Sequence, residues 1–386
     1  MSFGRCRSGS RAWGRLSRFA REGRLTPQSA GAGRRAGRSS AFAPCKVRCR
    51  SQESRSARLR SPSMSALTLF SPSGVIAKAT PLRRAVKRLT NLGFEVSVDE
   101  SALARFQRFA GDDDTRLAAL HRIAEAAPSI ALATRGGYGL TRLLDRIDWK
   151  LMARSVEQGT RWVGYSDVTA LQLGLLAHTK AESWAGPLAL DDFGKDDAAG
   201  GLDEITPAVF CEAMNGELEA VGFRTEAGFD GLEAKGVLWG GNLTVLGSML
   251  GTPHWPKVRG GILFLEDVNE HPYRVERMLL QLQQAGVLQQ QKAVLLGHFS
   301  DWKMSPLDRG YGLKQMVEML RSVCATPILT GLPFGHVPTK LCLPVGRKVT
   351  LVVDRRDVFI GWEHTHAHDA HHHDHHDHDG GCDHPH

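Results

Sequence analysis

An alternation of short apolar runs with longer amphipathic runs, from residue 67 to about residue 192, most constrains the fold. The short runs have the length of β-strands, and the intervening runs repeat apolar residues at helical spacing. Alternating units of this kind predict a mostly parallel sheet covered by helices, a three-layer α/β domain. The predicted strands are 67–70, 94–98, 130–134 and 161–163, and the predicted helices are 82–92, 114–127, 140–144 and 168–176.

A second pattern of strands and helices follows and predicts a smaller C-terminal α/β domain over residues 231–363. Its predicted strands and glycine-rich turns are 236–243, 261–265, 293–297, 348–353 and 358–360, and its helices are 273–285 and 313–323. Residues 193–230 are rich in Asp, Gly and Glu, which indicates a linker. The first domain then spans 64–192.

Residues 1–63 are a strongly basic leader, with 16 Arg and Lys against two Glu, a balance of +14. The whole chain carries +8, so the remainder carries −6, and nothing global indicates nucleic-acid binding. With few large aliphatic residues the leader is predicted to be disordered. An organelle transit peptide and a basic arm are alternatives, and we favour translation beginning at Met64.

Residues 364–386 form a tail that contains 11 of the 17 histidines, interspersed with Asp. This composition predicts disorder and weak binding of divalent transition metals such as zinc, nickel or copper, or simply a solvated tail. A catalytic metal needs a fixed ligand set, so no catalytic metal is expected.

The location is predicted from cysteine usage and hydropathy. The seven cysteines are scattered without a paired zinc-like pattern, which fits the reducing cytoplasm. No run of about 18 apolar residues is present, so no membrane partner is expected.

Ser166 lies at the end of a short predicted strand and directly before a helix, within Gly-Tyr-Ser-Asp-Val (164–168). A serine on such a turn is held over the positive end of the helix dipole, as a nucleophile requires. Ser166 or Asp167 could equally cap the helix. Ligand sites of parallel sheets lie at the carboxyl ends of strands, and the glycine-rich loop 135–139 also follows a strand.

Other residue types that a serine hydrolase needs are also present. The Gly136-Gly137 pair could bring a backbone N–H to a substrate oxygen, with the N–H of Asp167 as a second donor. The loop lacks the Lys-Ser/Thr ending of a phosphate-binding P-loop, which argues against nucleotides. Glu266 and Asp267 end the most apolar predicted strand and are candidate carboxylates. His336 lies in a glycine-bounded turn, where a structural histidine is the more common interpretation.

Several motifs together resemble the LD-carboxypeptidases, a serine-peptidase family that includes muramoyltetrapeptide carboxypeptidase and the microcin C self-immunity peptidases. The motifs, in this order, are 135–139, 164–171, 185–187, 241–243, 265–267, 272–274 and 335–336. The resemblance implies Ser166 as nucleophile, His336 as general base and Glu266 as the carboxylate that orients it. It also implies the N–H groups of Gly137 and Asp167 as the oxyanion hole.

The resemblance further implies a swivelling-type C-terminal domain, a homodimer and no cofactor. The expected substrate is the cytoplasmic murein tetrapeptide, which loses its terminal D-alanine in peptidoglycan recycling. Arg135 or Arg274 could hold the terminal carboxylate by bidentate pairing, and both could equally be structural. Alternatives are a microcin C-type peptidyl-conjugate hydrolase, or a non-enzymatic two-domain binding or metal-handling protein.

Overall fold

A computed structural model of the protein describes residues 64–363, so the predictions for the leader 1–63 and the tail 364–386 lie outside the described residues. The strands are β1 (Ala66–Phe70), β2 (Glu95–Val98), β3 (Ile130–Ala133), β4 (Arg161–Gly164), β5 (Ser183–Ala185), β6 (Ala220–Arg224), β7 (Glu233–Asn242), β8 (Ile262–Val268), β9 (Ala293–Ser300), β10 (Ile328–Thr330), β11 (Leu343–Val345), β12 (Lys348–Asp354) and β13 (Asp357–Gly361). The helices are α1 (Ala79–Asn91), α2 (Asp113–Ala126), α3 (Trp149–Glu157), α4 (Thr169–Thr179), α5 (Ile205–Asn215), α6 (Leu243–Met249), α7 (Pro272–Gln284) and α8 (Leu313–Val323).

The first sheet has the strand order β11-β5-β4-β3-β1-β2. Strands β1 to β5 pair in parallel, and every residue of β3 is buried, as expected for a sheet covered on both faces. The mixed α/β architecture with a mostly parallel first sheet is therefore confirmed. The exception is β11, which comes from the C-terminal part of the chain and pairs antiparallel with β5.

The second sheet has the order β10-β9-β8-β7-β12-β13-β6. It is parallel from β10 to β7 and antiparallel from β7 to β6. The long strand β7 joins the two parts, because its first half pairs with β12 and its second half with β8. The carboxyl ends of β7 and β8 bring Asn242 and Glu266 to neighbouring positions in register.

Besides the short strands β5 and β11, which were not predicted, two longer parts of the chain differ from the sequence-based expectation. The segment 193–230, predicted to be a linker, contains α5 and the edge strand β6. The Asp-rich run, residues 196–203, precedes α5, which buries Phe210, Ala213 and Met214 at helical spacing. Residues 140–144, predicted as a helix, form short 3₁₀ turns, and the helix proper is α3.

Caps on the helices of the first domain fix where those helices begin. The Asp112 side chain accepts the N–H of Thr115 at 2.8 Å, and Asp148 accepts that of Leu151 at 2.9 Å. Each such cap contributes about 1 kcal/mol. Among residues 64–363 no helix is long and apolar enough to cross a membrane.

Candidate active site

Ser166 lies on a strained turn between β4 and α4. Its φ of 62° is in the left-handed region, which is uncommon for a residue with a side chain and is typical of constrained functional turns. The amide of Gln172 holds the turn by donating to the carbonyls of Gly164 at 3.0 Å and Trp184 at 2.8 Å. The turn leaves the half-buried Ser166 side chain at the carboxyl end of β4.

The capping interpretation of this turn is not supported. Helix α4 begins after Val168, and no side chain caps it. The side chain of Asp167 is instead buried and accepts hydrogen bonds from the Ser73 hydroxyl at 2.6 Å and the Leu140 N–H at 3.0 Å. Asp167 therefore joins three loops around Ser166 and leaves the Ser166 hydroxyl available.

His336 bridges Ser166 and Glu266. Its Nε2 lies 3.2 Å from Ser166 Oγ, and its Nδ1 lies 2.8 Å from Glu266 Oε2. The preceding Gly335 has a φ of 132°, and an added Cβ there would come within 3.2 Å of Glu266 Oε2. Glycine thus permits the close approach that lets His336 reach both partners. The three side chains have the connectivity of a nucleophile, a base and an orienting carboxylate.

Glu266 is fully buried at the end of β8 and satisfied by two donors. Besides His336, the Asn242 amide donates to Oε1 at 3.1 Å. The same amide donates to Asp267 at 2.9 Å, and Asp267 also accepts the N–H and hydroxyl of Thr244. A buried carboxylate is tolerated when it is hydrogen-bonded in this way.

The electrostatics of the site favour a basic His336. Burial pushes its pKa down, but the hydrogen bond that Nδ1–H donates to Glu266 and the charges of Glu266 and Asp267 outweigh burial, so the pKa is raised from its usual value near 6.5. An imidazolium formed at His336 is stabilised by the carboxylate behind it. The arrangement can therefore accept the Ser166 proton.

The glycine loop after β3 lies against Ser166. A Cβ added at Gly136 would be 2.7 Å from Ser166 Oγ and 3.4 Å from the Asp167 nitrogen. The Gly136 carbonyl accepts the N–H of Gly74 at 3.1 Å, which fixes the loop. Gly137 is exposed with a φ of 113°, and within the described part of the chain its N–H has no hydrogen-bond partner. This N–H is thus available for a substrate oxygen.

The two candidate arginines lie in different surroundings. Arg135 precedes the glycine loop, donates from Nη1 to the Val75 carbonyl at 3.0 Å, and has a buried Nε without a partner among residues 64–363. Arg274 is half exposed near the start of α7 and lies 3.6 Å from Glu270. The structure brings Arg135 to the loop beside Ser166, and no contact among the described residues ties Arg274 to it.

A buried ion pair behind His336 was not found from the sequence. Lys340 Nζ donates to Asp192 at 2.7 Å, and both side chains are almost fully buried. Lys340 also lies 5.1 Å from the ring of Tyr165, which packs edge-on against His336 at 4.8 Å. Because these residues are far apart in the sequence, no local pattern indicates that they meet. The contacts of Ser73 and of Asn242, which lies in the motif 241–243, were not predicted for the same reason.

Among residues 64–363 no group of three or more His, Cys, Asp or Glu side chains is placed to hold a metal ion.

Comparisons with known proteins point to one family. Residues 67–186 match the LD-carboxypeptidase N-terminal domain, and residues 235–351 match the LD-carboxypeptidase C-terminal domain. A probable murein peptide carboxypeptidase of Bacillus subtilis is 32% identical over 284 residues, which are 72% of this chain and 88% of that protein. The murein tetrapeptide carboxypeptidase of Pseudomonas aeruginosa is 29% identical over 75% of this chain and 94% of its own length.

Solved structures show the same architecture. The crystal structure of muramoyltetrapeptide carboxypeptidase from Oxalobacter formigenes shares 39% sequence identity, with a TM-score of 0.70 over 78% of this chain and 99% of that chain. The microcin C7 self-immunity protein MccF in complex with glutamyl sulfamoyl guanosine shares 21% identity, with a TM-score of 0.68 over 78% of this chain and 96% of that chain, and supports the fold alone.

Proposed function

The chain belongs to the LD-carboxypeptidase family and is a serine carboxypeptidase, and we propose that it releases the terminal D-alanine of murein tetrapeptide through Ser166, His336 and Glu266. The observation that carries the proposal is the position of His336, in hydrogen-bond contact with both Ser166 and Glu266. The carboxypeptidase relatives exclude the non-enzymatic alternative considered above.

Acylation begins with proton transfer. His336 Nε2 takes the Ser166 proton as Oγ attacks the carbonyl carbon of the penultimate residue, and the imidazolium is stabilised by Glu266. The N–H groups of Gly137 and Asp167 stabilise the oxyanion. Collapse of the tetrahedral species breaks the C–N bond, and His336 gives its proton to the departing amine of D-alanine.

Deacylation repeats these roles with water. His336 removes a proton from the water that attacks the acyl-enzyme, and the returning proton restores the Ser166 hydroxyl. Glu266 keeps its hydrogen bond to Nδ1 and fixes the ring so that Nε2 faces the serine.

An exopeptidase must hold the free carboxylate of its substrate. Arg135 supports this role better than Arg274, because it adjoins the glycine loop and retains an unsatisfied Nε, whereas Arg274 has an acidic neighbour. A bidentate contact from a guanidinium suits a terminal carboxylate.

We place this activity in the cytoplasm, in the recycling of peptidoglycan, by a homodimer. The murein peptide carboxypeptidase relatives support the substrate class. The second candidate is hydrolysis of a microcin C-type peptidyl conjugate, because the Escherichia coli microcin C7 self-immunity protein is 24% identical over 260 residues.

A release assay separates these candidates. Purified wild-type protein and Ser166→Ala are incubated with murein tetrapeptide or with an acyl-sulfamoyl adenylate conjugate, and the products are identified by mass spectrometry. The proposal predicts D-alanine from the tetrapeptide with wild-type protein and none with Ser166→Ala. Cleavage of the conjugate alone would favour the second candidate, and D-alanine release by Ser166→Ala would refute the assigned nucleophile.

A further inference from the structure

Asp191 lies beside the catalytic groups but has no part in the triad or the oxyanion hole. It sits in a short helical turn (Ala189–Phe193), and the Leu190 N–H donates to the Thr134 carbonyl at 2.8 Å. This hydrogen bond fixes the turn to the end of β3, directly before Arg135 and the glycine loop. Asp191 is thus held at the carboxyl edge of the first sheet, where Ser166 also lies.

The carboxylate of Asp191 is unpartnered. Its side chain is exposed, and among residues 64–363 it accepts no hydrogen bond and forms no ion pair. Its neighbour Asp192 differs in every respect, because it is buried, accepts the Leu188 N–H at 2.8 Å and pairs with Lys340. Of the two adjacent acids, Asp192 supports the fold and Asp191 is free to contact a ligand.

The surroundings of Asp191 disfavour an isolated negative charge. The surrounding protein raises its pKa by desolvation, and the charges of Arg135, His336 and Lys340 act in the opposite direction. An exposed carboxylate without a donor of its own can pair with a cation that arrives with the substrate.

We propose that Asp191 is a specificity-determining residue that binds the free side-chain ammonium of a diamino-acid residue whose carbonyl Ser166 attacks. This inference rests on the proposed function and names the chemistry that the site selects. Asp191 and Arg135 carry opposite charges and form no ion pair with each other. Together they complement a peptide end that presents an ammonium group and a carboxylate.

Two peptides that differ only in this charge test the inference. One tetrapeptide ends in Lys-D-Ala and the other in norleucine-D-Ala, which keeps the aliphatic chain and removes the ammonium. Dissociation constants are measured by calorimetry on the full-length Ser166→Ala protein, alone and with Asp191→Asn. Glu157→Gln, an exposed acid on α3, is the control for the same change in net charge.

The expected result is that Asp191→Asn weakens binding of the lysine peptide by about ten- to a hundredfold, the range for a hydrogen bond to a charged group. Binding of the norleucine peptide and the control variant should change by less than about twofold. Equal losses for both peptides, or no loss for either, would overturn the inference.

Release of D-alanine by the wild-type protein is measured separately. Absence of release from both peptides would refute the proposed function, while the binding comparison would still decide the role of Asp191.

Discussion

Replacing Glu266 by glutamine tests whether this carboxylate fixes the tautomer of His336 and stabilises its imidazolium. The carboxylate accepts the Nδ1–H of His336 at 2.8 Å from a fully buried position, so Nε2 is left free to accept the Ser166 proton. A glutamine amide can donate to Nδ1 and so favour the tautomer with its proton on Nε2, which cannot act as base. The buried amide has no carboxylate charge to stabilise the imidazolium.

The expected fall in kcat follows from the loss of the correct tautomer and the loss of the carboxylate charge. Removing a charge-assisted hydrogen bond costs about 1.5–3 kcal/mol, and the wrong tautomer adds to it. Together they predict a fall in kcat of about 10³ to 10⁴, or about 4–5.5 kcal/mol at 1.36 kcal/mol per tenfold change. The fold should persist, because the substitution preserves shape and an acceptor for the Asn242 amide.

The pH profile provides an independent reading of the same variant. Activity requires neutral His336, whose pKa lies above 6.5 in the wild-type protein, so kcat/KM should fall as the pH drops through that value. In Glu266→Gln the largest raising influences are gone while burial still lowers the pKa of His336, so the midpoint should shift to lower pH than in the wild-type protein.

D-alanine release is followed from pH 5 to 9, with circular dichroism to verify folding. Asp267→Asn, which removes the adjacent carboxylate from the hydrogen bonds to Asn242 and Thr244, is the matched control and should lose much less activity. A folded Glu266→Gln within tenfold of wild-type kcat would refute the role given to Glu266.

Three further predictions concern the glycine loop, the buried ion pair and His178 of helix α4. Gly136→Ala places a Cβ 2.7 Å from Ser166 Oγ and should lower kcat by about 10²-fold or more. The control is Gly247→Ala, which has open space at its Cβ: it should keep activity and raise the unfolding free energy, measured by urea titration, by up to about 1 kcal/mol. Lys340→Met leaves the buried Asp192 carboxylate without its cation and should lower the unfolding free energy by about 3–5 kcal/mol in the same titrations. Adding Asp192→Asn should recover much of that loss, and an unchanged urea midpoint in Lys340→Met would contradict a structural ion pair. Burial and the charges of His254 and Lys180 lower the pKa of His178, so the unfolded chain binds protons more readily than the folded chain. The unfolding free energy should therefore fall as the pH drops below about 6.5, and His178→Gln should make it depend less on pH. The same pH dependence in His178→Gln and the wild-type protein would contradict this prediction.

The sequence predicted the parts of the fold that depend on local patterns. Strands β1, β3 and β8 are mostly apolar and short, so their positions follow from hydropathy and length. Strand β11 was missed because its three residues, Leu343–Val345, give no periodic signal and gain their place by pairing with β5. The helix α5 was missed because an acidic, glycine-rich stretch directly before it dominated the composition of its segment.

In the site, too, residues could be predicted where the signal is local and not where only folding brings them together. Ser166 could be predicted because a strand, a turn and a helix meet within a few residues. Selecting His336 and Glu266 depended on resemblance to a family, because 170 and 70 residues separate His336 from its two partners. The buried pair of Asp192 and Lys340 gave no signal at all, since only the folded chain brings them together.

Covalent labelling tests the central claim, that Ser166 is an activated nucleophile, most directly. Full-length protein is treated with a fluorophosphonate probe, and the modified peptide is located by mass spectrometry. We expect one probe per chain on Ser166, no labelling of Ser166→Ala, and strongly reduced labelling when His336 is replaced by alanine. An unlabelled wild-type protein, or a probe attached to another serine, would contradict the account.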